Sequence, residues 1–182
     1  MRLNQDQKLI KNLLGEDRKD RSSKIFKKYH DQKRLSLISK RDRRRIDIVS
    51  KILRKNPELR GVDYFRAGLL FQHGQSLGLI KKAQSLASRS MDSGYEPGKW
   101  LYAATTDRML MMVGKKQKFG TQFRRRGELW ELHPVQKETT DIERRSYNVL
   151  PLQKIRMVVS SINREAKFSR FPKVRIGLTR QK

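Results

Sequence analysis

The uneven distribution of charge along the chain constrains its fold more than any other feature of the sequence. Residues 61–112 contain 6 Lys/Arg and 4 Asp/Glu. Residues 1–60 contain 20 Lys/Arg and 8 Asp/Glu, and residues 163–182 contain 7 Lys/Arg and 1 Asp/Glu. Like charges repel one another in a compact state, so the nearly neutral centre is the part best able to bury a core. The pattern predicts a folded centre with basic segments on either side.

Apolar residues recur at helical spacing through this centre and beyond it. Helices are predicted over residues 41–55, 62–73, 77–92, 96–114 and 151–167. The connections between the central helices are short, which favours antiparallel neighbours. We therefore expect a mainly α fold, in which antiparallel helix pairs form a compact domain.

The change in charge places the predicted helical domain at residues 41–162. Residues 1–40 are expected to be a basic N-terminal extension, although residues 3–14 have apolar positions at helical spacing. Residues 163–182 are expected to be a basic C-terminal tail. Segments with this much charge do not offset the entropy lost on ordering, so both are expected to order only on a partner. Residues 115–127, KKQKFGTQFRRRG, are predicted to be a loop.

Five separated motifs follow one another through the middle of the chain. They are YFRAGLLFQHG, QSLASRSMDSG, KWLYAATTDRMLM, GKKQKFGTQF and TTDIERRSYNVLPL. In this order they resemble an uncharacterised bacterial domain family, whose signature is HG, then WLxAxxxDRxLMxxGxxQxxGTQ, then TDxER leading to a proline–leucine pair. The resemblance covers roughly residues 40–155. It implies a mainly helical fold and a shared cluster of polar residues, without an established activity.

The polar residues that the resemblance singles out are His73, Asp107, Arg108, Gln117, Thr121 and Gln122. On one hypothesis they line a pocket in which His73 is the acid or base, Asp107 orients it, and the glutamine amides orient a substrate. On the other, Asp107 holds the loop that follows its helix back against that helix. An unpaired buried carboxylate is unfavourable, so we expect this anchor, with Gly120 allowing the backbone to approach closely. Both hypotheses stay open at this point.

The basic runs point to a polyanionic partner, because the net charge of the chain is +26. Aromatic side chains alternate with cations near both ends of the chain, which suits stacking on exposed bases. No helix-turn-helix, zinc-finger or basic-zipper pattern is evident, and this favours RNA over DNA. The predicted nucleic-acid-binding residues are Lys27, Lys28, Arg41, Arg43, Arg44, Arg45, Arg124, Arg125, Arg126, Arg170, Lys173 and Arg175.

The leading hypothesis for function is an RNA-binding protein that associates with the ribosome or with another ribonucleoprotein. The alternative is an enzyme or small-ligand-binding domain, with its pocket at His73, Asp107, Arg108, Gln117 and Gln122 and with basic segments that localise it. A third hypothesis, binding to an anionic membrane, is less favoured because the first helix has few large aromatic residues for insertion.

Some classes of site are not expected in this chain. It has no cysteine, and its three histidines are far apart in sequence, so neither a metal site nor a cofactor is predicted. No apolar run reaches transmembrane length, so no membrane-spanning segment is predicted. We expect a protein of the cytoplasm or of an organellar matrix.

Overall fold

The computed structural model describes residues 4–22, 32–55, 59–127 and 129–168. Within these residues the protein is mainly α, as predicted, with seven helices and one small two-stranded sheet. The chain divides into two compact units, Met1–Thr105 and Thr106–Lys182. None of the helices in the described part of the chain combines the length and the apolar character needed to cross a bilayer.

The first unit is built from helices alone. They are α1 (Gln5–Asp20), α2 (Gln32–Lys55), α3 (Gly61–Phe71), α4 (Leu77–Asp92) and α5 (Pro97–Met112), of which α5 continues past the unit's last residue. Helix α3 packs against α1, α2 and α4. These packed pairs agree with the predicted helix pairing.

Local sequence signals explain where these helices begin. Helix α1 starts with a capping box, because the Asn4 side chain accepts from the Gln7 amide at 2.8 Å and the Gln7 side chain accepts from the Asn4 amide at 3.1 Å. Helix α4 starts at Ser76, whose hydroxyl accepts a hydrogen bond from the Leu79 amide. Helix α5 begins at Pro97, a residue that loses no helical hydrogen bond at a first position.

The core of the first unit lies where α3 meets its neighbours. Gly68 permits a close approach, since a Cβ at this position would lie 2.7 Å from Leu101 Cδ2 and 3.3 Å from the Ala83 carbonyl oxygen. The largest fully buried apolar side chains of this unit are Ile10, Val49, Leu70, Ile80, Leu86 and Leu101. Close packing of small and large residues therefore holds the helices together.

Helix α1 differs from the predicted N-terminal extension. Its residues Ile10, Leu13 and Leu14 are 0, 2 and 5% exposed and belong to the core, so Gln5–Asp20 is an integral part of the first unit. The expectation of a segment that orders only on a partner is corrected for this helix, because its apolar stripe buries enough area to offset the ordering entropy. Of the predicted basic segments, residues 1–3, 23–31 and 169–182 lie outside the described residues.

The second unit contains the sheet and two further helices. Its elements are β1 (Phe123–Arg126), β2 (Leu129–Leu132), α6 (Asp141–Ser146) and α7 (Leu152–Phe168). The two strands pair antiparallel, with Arg125 opposite Trp130. The run FRRR, which was predicted to be part of a loop, is therefore a strand. Its three consecutive arginines hide the alternation by which a strand is recognised. Helix α7 packs against β2 and completes this unit.

Candidate functional site

Asp107 lies on α5, and its carboxylate binds the loop that joins α5 to β1. Its side chain is 0% exposed, and its two carboxylate oxygens accept hydrogen bonds from four successive backbone amides, those of residues 118–121, at 2.7 to 2.9 Å. The Thr121 hydroxyl donates a fifth hydrogen bond at 2.8 Å. Gly120 has φ +93°, which lets its amide turn towards the carboxylate at no steric cost. The predicted anchor is confirmed.

Gln117 fixes the second half of the same loop. Its amide oxygen accepts from the Gln122 backbone N–H at 2.9 Å, and its amide nitrogen donates to the backbone carbonyls of Gln122 and His133 at 3.1 and 2.8 Å. Gln117 is 0% exposed, so both polar atoms of its side chain serve the loop. The Gln122 side chain donates to the Thr121 hydroxyl at 3.0 Å.

The TDxER motif, residues 140–144, makes further hydrogen bonds to this loop. The Arg144 side chain, only 2% exposed, donates to the carbonyl oxygens of Phe119 and Thr139 at 3.1 and 2.8 Å. Asp141 accepts from Arg144 at 3.0 Å and from the Leu152 amide at 2.9 Å, and thereby ties α6 to the start of α7. Sequence reasoning missed Arg144, although its position inside the motif could have indicated a structural role.

The structure therefore brings together some of the predicted polar residues and separates others. Asp107, Gln117, Thr121 and Gln122 form one hydrogen-bonded group in the second unit. Arg108, also in this unit, is half-buried on α5. His73 belongs to the first unit, where its Nε2 lies 3.5 Å from a carboxylate oxygen of Asp17.

A cluster of arginines and aspartates joins α1 to α2, and we call it the Arg45 cluster. Arg45 is 3% exposed, and its guanidinium forms an ion pair with Asp20 and lies 3.1 Å from Asp42. Arg21 forms ion pairs with Asp42, at 2.6 Å, and with Asp17. The cluster buries charges of both signs, which is tolerated because they are paired with one another.

The charge of Asp20 shows how this cluster is balanced. Burial opposes the charged form of Asp20, but the hydrogen bonds and positive charges of Arg45 and Arg41 outweigh it and hold the pKa of the carboxyl below its ordinary value of 3.8. Arg41 contributes through an ion pair of 2.5 Å. Sequence reasoning missed these aspartates, although Asp17 and Asp20 are three residues apart on α1 and therefore lie on one face of it.

The basic run of α2 is thus divided between two environments. Arg43 and Arg44 are exposed, and Arg41 is exposed while also pairing with Asp20. Arg45, predicted with them as a phosphate ligand, is instead directed into the Arg45 cluster. The helical period explains this division, because Arg41 and Arg45 are four residues apart and lie on the side of α2 that contacts Asp20, whereas Arg43 and Arg44 project elsewhere.

The sheet of the second unit carries three arginines on an exposed strand. Arg124, Arg125 and Arg126 are all exposed, and the side chain of Arg126 is 77% exposed. Arg124 forms an ion pair with Glu131 on the opposite strand, with N–O distances of 3.1 Å. This hairpin presents its guanidinium groups on a narrow two-stranded ribbon.

One side chain fixes the outer edge of this hairpin. Asn163 of α7 accepts from the Trp130 backbone N–H and donates to the Trp130 carbonyl oxygen, both at 2.8 Å. It therefore pairs with both backbone polar groups of Trp130. An isolated two-stranded hairpin is marginally stable in water, so this contact helps to keep the arginine strand in place.

Replacing Asn163 by alanine should loosen the hairpin without unfolding the helices. Two part-buried backbone groups would lose their partner, and we expect the free energy of unfolding to fall by about 1–2 kcal/mol. Amide exchange at Trp130 measures the local effect, and it should accelerate far more than exchange within α3. Equal acceleration at both places would contradict a local role for Asn163.

The remaining predicted nucleic-acid ligands, Lys27, Lys28, Arg170, Lys173 and Arg175, lie outside the described residues. Among the residues that the structure does describe, no three histidine or carboxylate side chains are grouped so that they could hold a metal ion. No protein-family model, curated protein or solved structure matches this chain. The family resemblance drawn from the motifs therefore stays a prediction.

Proposed function

We propose that this protein binds RNA through basic surfaces on each of its two units. The observation that carries the proposal is that several carboxylates of the protein are buried while most of its cations are exposed. Asp17, Asp20, Asp63 and Asp107 are buried in ion pairs or hydrogen bonds, whereas most lysines and arginines of the described helices and of the hairpin are exposed. The buried carboxylates are already paired with arginines or with backbone amides, so they do not neutralise the other exposed cations of a chain whose net charge is +26.

Two surfaces are the best candidates for phosphate contacts. On the first unit, Arg43 and Arg44 project from α2, and Lys51, Arg54 and Lys55 are further exposed cations of the same helix. On the second unit, the hairpin arginines 124–126 form a compact basic ribbon. Guanidinium groups favour phosphate because their fork of donors matches its oxygens. Neither surface contains a pattern for base-specific contacts, so the proposed recognition is of shape and backbone.

The proposed partner is a folded RNA, either free or within the ribosome or another ribonucleoprotein. A protein of this charge attracts phosphates from a distance, and the resulting association weakens steeply as salt rises. The polar loop around Asp107 has a structural role in this proposal, since its carboxylate and the Gln117 amide are already engaged. The small-ligand alternative would need other groups for its chemistry.

Salt dependence of RNA binding tests the two surfaces directly. Each phosphate contact contributes about 0.7–0.9 to the slope of log affinity against log salt. Replacing Arg43 and Arg44 by glutamine should therefore flatten the slope by roughly 1.5 units, and replacing the three hairpin arginines should flatten it by roughly 2–3 units. Fluorescence anisotropy with a structured RNA, across a series of salt concentrations, measures these slopes.

The matched control removes two charges elsewhere. Lys81 and Lys82 are exposed on α4, and their replacement by glutamine changes the net charge of the protein as much as the Arg43 and Arg44 change does. The slope should then stay near that of the unmodified protein. If the control flattens the slope equally, attraction by total charge explains the binding and the two surfaces have no special role. Weaker binding to RNA than to a DNA duplex of equal length would overturn the choice of RNA.

A further inference from the structure

A cleft with a volume of about 270 Å³ opens between α1 and α3 in the first unit. Its lining includes three cations, two aromatic rings and one glycine: Lys11, Arg18 and Arg66, Phe65 and Tyr95, and Gly15. Among the described residues that line it there is no carboxylate. The cleft therefore combines positive charge with aromatic walls.

The α1 side of the cleft is defined by helical spacing. Lys11, Gly15 and Arg18 are separated by four and three residues, so they lie on one face of α1. A Cβ at Gly15 would meet no atom within 4 Å, which means that the missing side chain leaves open space between the two cations. Glycine is the least favourable helical residue after proline, so its presence in the middle of α1 calls for a reason other than helix stability.

The α3 side supplies a cation whose position is fixed. Arg66 donates from Nη1 to Asp63 at 2.9 Å, and Asp63 is 0% exposed and also accepts from Arg60 at 2.8 Å. A guanidinium has five N–H donors, and the bond to Asp63 uses one of them. Asp63 thus orients Arg66 at the cleft while other N–H groups of Arg66 stay available for a ligand.

The aromatic wall completes the arrangement. Phe65 is 4% exposed and packs against Tyr95, with ring centroids 5.5 Å apart and planes inclined by 58°. Tyr95 is half-buried and lines the cleft. A partly exposed aromatic ring next to cations is the arrangement on which a nucleobase stacks while its phosphate binds nearby.

We propose that this cleft binds one nucleoside monophosphate unit, with its phosphate between Lys11, Arg18 and Arg66 and its base against Tyr95. A phosphomonoester carries about 1.5–2 negative charges near neutral pH, and three cations match it better than they match a phosphodiester with one charge. The ligand is therefore a free mononucleotide or the 5′-monophosphorylated end of an RNA. This inference goes beyond the proposed function, because none of the residues that line the cleft belongs to the Arg43–Arg44 surface or to the hairpin.

Calorimetric titration of the whole protein with 5′-AMP, 5′-GMP, 5′-CMP and 5′-UMP tests the proposal. At least one of them should bind at least tenfold more tightly than its own nucleoside or inorganic phosphate, because it alone engages both cations and ring. Gly15→Leu should weaken this binding at least tenfold by filling the cleft, and its melting temperature should match or exceed that of the unmodified protein. Lys11→Gln with Arg18→Gln should weaken binding similarly.

The control is again Lys81→Gln with Lys82→Gln, which should keep the nucleotide affinity within about twofold. A hexaribonucleotide with and without a 5′-phosphate distinguishes the two sources of the ligand. If the phosphorylated hexamer binds more tightly than the mononucleotide and loses this affinity without its 5′-phosphate, the ligand is an RNA end. If the hexamer binds no more tightly than the mononucleotide, the ligand is the free nucleotide.

Three results would overturn the proposal. The first is that neither a mononucleotide nor the hexamer binds at millimolar concentration. The second is that the Lys11 and Arg18 variant binds the nucleotide as tightly as the unmodified protein. The third is that the Lys81 and Lys82 control loses as much affinity as the Lys11 and Arg18 variant. The Lys11 and Arg18 variant alters exposed side chains, so it decides the question even if Gly15→Leu does not fold. If a long structured RNA still binds in a salt-dependent way in these cases, the proposed RNA-binding function is unaffected. Failure of the nucleotide proposal is thereby distinguished from failure of the RNA-binding proposal.

Discussion

Replacing Arg45 by glutamine should lower the free energy of unfolding by about 3 kcal/mol. The change leaves Asp20 and Asp42 near each other in a buried position without the guanidinium that lies between them. Breaking a buried ion pair in this way costs about 3–5 kcal/mol, and we expect the lower end because Arg41 and Arg21 still pair with the same carboxylates. Chemical denaturation followed by circular dichroism measures the loss.

The neighbouring Arg43→Gln substitution is the matched control, since Arg43 is exposed on the same helix. It should change the free energy of unfolding by less than about 0.5 kcal/mol while weakening RNA binding. Equal stability of the two variants would show that the Arg45 cluster contributes nothing to the fold.

Acid unfolding gives a second measure of the same prediction. The pKa of Asp20 lies below its ordinary value of 3.8 because the pairing with Arg45 and Arg41 outweighs burial, so its stabilising effect is present above that value and is lost as pH falls through the lowered pKa. Without Arg45 the folded pKa of Asp20 rises towards or above 3.8. The Arg45→Gln variant should therefore begin to unfold at a higher pH than the unmodified protein.

Replacing Asp107 by asparagine should also destabilise the protein by about 3 kcal/mol. Asparagine keeps the shape but offers one acceptor oxygen, and its NH2 group would face amide donors of the 118–121 loop. At least two backbone N–H groups would then be buried without a partner, each unfavourable by about 1–3 kcal/mol. A thermal melt and amide exchange of Phe119 and Gly120 measure the effect.

The same chemical change at Asp92, which is exposed at the end of α4, should leave stability within about 0.5 kcal/mol. His73→Ala provides the companion test of the pocket hypothesis. If Asp107→Asn and His73→Ala both melt at or above the temperature of the unmodified protein, the anchor has no stabilising role. The enzyme alternative would then become the better explanation of these residues.

Helices α4 and α5 could be predicted from sequence because each has local signals at its ends. The capping residue Ser76, the first-position Pro97 and the glycines 94 and 114, with φ of +72° and +73°, place the ends of α4 and α5 close to their predicted bounds. The Asp107 anchor could be predicted for the same kind of reason. A carboxylate on an apolar helix face needs partners, and the chain supplies a glycine-containing loop within reach.

Long-range pairing accounts for what could not be predicted. The three arginines of β1 have no strand pattern, and their conformation depends on β2 and on Asn163, which is 33 residues away from Trp130. The burial of Arg45 depends on carboxylates that lie 25 and more residues earlier in α1. From composition alone, the arginines of residues 41–45 and those of residues 124–126 look like equivalent basic surface. Tertiary contacts decide which of these cations face solvent.

The internal pairing of arginines also affects how RNA acts on the folding equilibrium. A ligand stabilises a fold only to the extent that it binds the native state more tightly than the unfolded chain. Unfolding releases Arg21 and Arg45 from their carboxylates and makes them accessible to any polyanion. The aspartates of α1 and α2 therefore act as resident competitors of phosphate, and they keep these guanidinium groups out of its reach for as long as the chain stays folded.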